Sequence, residues 1–143
     1  MKTLETLIKL SQQQLDEYRH NLNVYLDKKD ELLAKKQRLE QQLNAEKSWV
    51  SQQSEVSYNY SNYAAHVSMQ QADLDNFVVV MDTQIEEISD KISEAFQELK
   101  RYEILLEKRI ADEEAERKNK EKIMLDEIGT MNYLRKQKDD YGE

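Results

Sequence analysis

Apolar residues return along the first fifty positions in steps of four and three. From Leu4 the steps reach Ile8, Ser11, Leu15, Tyr18, Leu22, Tyr25, Lys29, Leu32, Lys36, Leu39, Leu43, Glu46 and Val50, and ten of these fourteen positions are apolar or Tyr. That is the a/d seam of a coiled coil, in which each apolar knob needs a facing helix. The pattern predicts a first helix over about residues 2–51, roughly 75 Å long at 1.5 Å per residue. A second seam runs through Leu74, Val78, Met81, Ile85, Ile88, Ile92, Ala95, Leu99, Tyr102 and Leu106. Past it the stripe returns in a shifted register at Ile110, Met124, Ile128, Met131 and Leu134.

Between the seams, Ser51 to Met69 exchanges the Leu/Lys/Glu pattern for Ser, Gln, Asn and Tyr. Asn and Ser compete for backbone hydrogen bonds and disfavour helix interiors. Val56, Tyr58 and Tyr60 alternate with polar residues as a short strand would. A seam break of this size predicts a reversal near residues 52–62. The expected fold is therefore all-α: an antiparallel two-helix coiled-coil hairpin with a longer C-terminal helix. Its parts are helix one at about 2–51, a tip at about 52–63 and helix two at about 64–138, in one domain spanning 1–143. Two alternatives stay open: a single rod of about 200 Å dimerising in parallel, and a chain disordered at its centre.

Composition supports long helices. The 143 residues are 38% hydrophobic and 35% charged, with two glycines and no proline. A globular core of ordinary width needs more apolar and more turn residues. The net charge of −8 gives no basic face for nucleic acid. No apolar run approaches the roughly 20 residues of a membrane span. Met1 to Glu5 lacks a signal-peptide pattern, so the expected location is the cytoplasm.

With the reversal centred near residue 58, Leu4 falls beside about residue 112, and the rest of helix two has no intrachain partner. The apolar residues Met124, Ile128, Met131 and Leu134 lie on that part, where exposure is unfavourable unless something covers them. A homodimer, fraying or a docking stripe for another protein each account for it. Gly129 in their midst loosens the helix by about 1 kcal/mol. The pairs Glu113–Arg117, Glu114–Lys118 and Glu116–Lys120 favour a solvated helix just before. At the tip, Trp49 is expected to pack against the turn. Tyr58, Tyr60 and Tyr63 are expected to offer interface area at low entropic cost.

Catalytic chemistry has no foothold in the pattern. Gly129 and Gly142 cannot make a phosphate loop, and there is no cysteine. His20 and His66 lack partners at metal-ligand spacing. Adjacent carboxylates such as Asp16–Glu17 point different ways on a helix. The expectation is a non-enzymatic protein with no cofactor and no metal.

Three segments carry a resemblance. Lys2-Thr3-Leu4-Glu5-Thr6-Leu7-Ile8-Lys9-Leu10 with Gln14-Leu15-Asp16-Glu17, then Ala95 to Glu103, then Glu116-Arg117 through Leu125-Asp126-Glu127-Ile128-Gly129, resemble FliJ-type flagellar export proteins in order and spacing. The resemblance implies a cytoplasmic component of the flagellar type III export apparatus, similar to the central stalk (gamma subunit) of rotary ATPases. It implies association with the hexameric export ATPase, the cytoplasmic domain of the export gate and the export chaperones. Membrane association would be at most peripheral, through the gate. On that reading Leu4, Ile8, Met124, Ile128, Met131 and Leu134 contact the ATPase ring, and Tyr58, Tyr60 and Tyr63 face the gate or a chaperone. The Tyr/Asn-rich tip and Gly129 depart from the family pattern. A prefoldin-like or secretion chaperone and a structural coiled-coil spacer are the other readings of the same helices.

Overall fold

A computed structural model describes residues 2–52 and 58–141, and every one of them but Gln52 is helical. Two helices account for them, α1 (Lys2–Ser51) and α2 (Tyr58–Tyr141). No proline is present to break the i→i−4 ladder of either helix. α1 stops in a tightened last turn. The Gln52 amide donates to the Trp49 carbonyl at 3.2 Å, which leaves the Ser48 carbonyl without its usual amide. The Ser51 hydroxyl donates to that carbonyl at 2.7 Å.

The contacts divide the chain into two units, residues 10–98 and residues 1–9 with 99–143. Within residues 10–98, α1 and α2 run antiparallel. Lys29 Nζ meets Asp82 Oδ1 at 2.6 Å, and Lys36 Nζ meets Asp75 Oδ1. Both pairs are symmetric about a point between positions 55 and 56. That lies two to three residues before the centre inferred from composition. The seam residues from Ser11 to Val50 on α1 are buried or half-buried, with Glu46 alone exposed, and on α2 Leu74 to Ala95 repeat the pattern. The core is one side chain wide. Across the described residues only Leu4, Leu15, Val67, Leu74, Ile88, Ala95 and Leu99 are buried. Lys29 and Lys36 lay their methylene stems across the seam and carry their charge out to an aspartate.

α2 begins at Tyr58, so Tyr58 and Tyr60 are helical and the strand-like alternation is not adopted there. Val56 and the turn itself lie outside the described residues. The cause is burial. Val67 is 1% exposed, the deepest side chain described, and Tyr60, Tyr63, Ala64 and Gln71 extend the seam on either side of it. The helix penalty of Ser and Asn is only about 0.5 kcal/mol per residue, less than one buried Val returns.

In the other unit, Leu4 and Leu99 are buried, and Ile8, Tyr102 and Leu106 are half-buried. From Glu107 to Asp140 every residue is exposed. The continuously exposed part of α2 thus begins about five residues earlier than the composition-based turn implied. Gly129 is helical, and a Cβ built on it would meet nothing within 4 Å.

Candidate functional site

The residues expected to bind a ring fall into two groups. Leu4 is 4% exposed and Ile8 half-buried, in the unit that also holds buried Leu99 and half-buried Leu106. Met124, Ile128, Met131 and Leu134 stand 47–61% exposed on the free part of α2. Eighteen residues separate Leu106 from Met124, five full turns and about 27 Å. The seam's phase is therefore regained after a charged interval.

That interval, residues 111–122, is polar on all sides. Lys118 reaches Glu114 at 3.6 Å and Lys120 reaches Glu116 at 3.4 Å, two of the three pairs expected from spacing. All four side chains are largely exposed, so each pair contributes a few tenths of a kcal/mol. The interval is a solvated stretch of helix between two apolar stretches.

The stripe beyond it is wider than steps of four and three revealed. Ile123 is 51% exposed and lies beside Met124 and Leu134. At 100° per residue, Ile123, Leu134, Met131, Met124 and Ile128 occupy an arc of roughly 140°. Ile123, Asp126, Glu127, Thr130 and Met131 line a shallow depression on its edge. Leu125 at 68% and Tyr133 at 62% lie off the arc. The Thr130 hydroxyl donates to the Asp126 carbonyl at 2.9 Å, and the Gln137 amide donates to the Tyr133 hydroxyl at 2.9 Å. The signal for Ile123 was present in the sequence. A position one residue before the seam residue flanks the seam in any helix, and the heptad count passes over it.

At the other end of α2, Tyr60 and Tyr63 are half-buried, while the Tyr58 side chain lies outside the described residues. Trp49 is 57% exposed, which corrects the expectation that it packs against the turn. Val50 takes the seam position, so its neighbour Trp49 is left on the flank. Phe77, Val79 and Val80 are also at least half-exposed within residues 10–98. Sequence steps keyed to Val78 did not mark them.

No group of three His, Cys, Asp or Glu capable of holding a metal occurs among the described residues. No described helix is long and apolar enough to cross a membrane. What this surface can do chemically is dock: a long amphipathic helix offered to a groove or a ring. A family model described as the flagellar FliJ protein matches residues 1–138. Comparisons with curated proteins and with solved structures gave no match.

Proposed function

The chain belongs to the flagellar FliJ family, components of the flagellar protein export apparatus, and on that premise we propose that it is a non-enzymatic stalk and adaptor for the export ATPase. The supporting observation is the free end of α2, where residues 107–140 are exposed throughout and five apolar side chains share one face. A stripe of this kind is stabilised by entering an apolar groove or the pore of a ring. In this reading Met124, Ile128, Met131 and Leu134, with Ile123, meet the ATPase ring. Leu4 and Ile8 act beside them by clamping the start of α1 to α2. A helix seated in a ring favours those subunit conformations that grip it best, and so biases assembly and hydrolysis. The opposite end, with Tyr58, Tyr60 and Tyr63, faces the export gate or the chaperones. The protein then works in the cytoplasm, peripheral to the membrane through the gate.

The test pairs ATP hydrolysis by the cognate export ATPase with co-sedimentation. The wild-type chain is expected to bind and to stimulate turnover. Met124→Asp combined with Ile128→Asp should weaken association at least about tenfold, since the two lost apolar contacts together exceed about 1.4 kcal/mol. Helicity by circular dichroism should stay unchanged. Undiminished association of the double variant would overturn the assignment of the stripe.

A further inference from the structure

We infer that Gly129 and Thr130 form a joint within the docking stripe. In the free chain the half carrying Met131 and Leu134 bends against the half carrying Ile123, Met124 and Ile128, and docking straightens it. The straightening rests on the stalk reading; the bending does not. Gly129 is the one glycine among the described residues, and a Cβ built on it would meet nothing within 4 Å. No close approach of another element accounts for a glycine there. Its helix propensity, the poorest after proline, therefore acts without compensation.

Beside it, the Thr130 hydroxyl donates at 2.9 Å to the Asp126 carbonyl. That carbonyl is also the acceptor that the Thr130 amide uses in an α-helix. One carbonyl shared by two donors loosens the ladder on its side and bends the helix. Thr83 makes the same bond to the Val79 carbonyl at 3.1 Å, but there Met81, Gln84 and Ile85 are half-buried and hold the helix. Around Thr130 every residue is exposed. Asp126 and Glu127 find only Gly129, Thr130 and Met131 at i+3 and i+4, so no ion pair crosses the joint from them. The charged interval before it is braced by Glu114–Lys118 and Glu116–Lys120. The joint lies inside the docking surface itself. The shallow depression takes Ile123, Asp126 and Glu127 from one side of it and Thr130 and Met131 from the other. A partner that takes both halves at once selects the straight form, and its apparent affinity falls with the fraction of chains that are bent. The joint thus keeps the grip reversible and lets the two halves engage in succession.

The chain has no cysteine, so paired spin labels report single distances. Lys108→Cys with Lys122→Cys, and Lys122→Cys with Lys136→Cys, each span about 21 Å of straight helix. In the full chain, double electron–electron resonance should give a distribution about twice as broad across the joint as across the charged interval. Gly129→Ala with Thr130→Ala should narrow the first to the width of the second. Asn132→Ala, which raises helix propensity nearby without touching the joint, should narrow it less. With the cognate export ATPase added, the chain with its joint intact should give the narrow distribution. Gly129→Ala alone, whose new methyl group touches nothing, should associate about two- to threefold more tightly. Equal widths in the free chain, or equal narrowing by Asn132→Ala, would overturn the joint. A distribution that stays broad in the complex would overturn the straightening. A chain that does not associate with the ATPase would overturn the stalk reading and the straightening with it, while the free-chain widths still decide the bending.

Discussion

Val67 sits at 1% exposure in a segment whose neighbours are Ser, Asn, His and Tyr. A seam one side chain wide has no second layer to relax into a void, so the loss of two methyl groups there is felt. Val67→Ala should lower unfolding free energy by about 2 kcal/mol, read from the urea midpoint. The control Val80→Ala, at a half-exposed position, should cost less than about 0.5 kcal/mol. Equal effects at the two sites would mean that the helix pairing does not extend to Val67. Trp49 shows the same rule from the other side. A large ring one residue off the seam stays in water, because the narrow seam has room only for Val50. The polar composition around Val67 hid it from a reading by segment; its spacing of three to Ala64, four to Gln71 and seven to Leu74 is the mark that identifies it.

Within α1, Lys29 and Lys36 occupy seam positions where Leu would bury more apolar area. Each is about one-third exposed and bonded to a half-exposed aspartate of α2. Such ion pairs contribute about 0–1 kcal/mol, less than a seam leucine. Lys29→Leu and Lys36→Leu should therefore each raise stability, by about 1 kcal/mol, in urea unfolding. What the lysines supply is register. Two charges that must meet Asp82 and Asp75 disfavour a shift by one heptad, which apolar seams alone tolerate. The double leucine variant should accordingly show extra amide resonances from a second register. A single set of resonances, or lower stability, would contradict this account. The lysines were visible in the seam from the sequence; their aspartate partners were not, because the register depends on where the turn falls.

For the molecule as a whole, the contrast is between helix that is held and helix that is not. Residues 110–140 are exposed throughout, so their removal should leave the remaining helices intact. A chain ending at Arg109 should lose about thirty residues of helical signal by circular dichroism. Its melting midpoint should move by less than about 4 °C, the shift that roughly 1 kcal/mol produces in a small domain. A larger fall would show that the free end supports the paired helices. Together with the stripe variants, this truncation separates docking from folding. It removes the surface that the stalk reading requires while leaving Leu4, Ile8 and the seam in place.

The sequence by itself determined the helical class, the two seams and the free apolar stripe. These follow from periodicity, which is local and repeats over many turns, so each position reinforces the next. The order of the three family-like segments likewise indicated the FliJ family, which the match over residues 1–138 shows. Tertiary structure decided the register, the start of α2 at Tyr58, the burial of Val67 and the exposure of Trp49. Each of these depends on which residues of one helix meet which residues of the other. In a chain with no proline and with its two glycines at positions 129 and 142, no local signal fixes the reversal more finely than the polar interval between the seams.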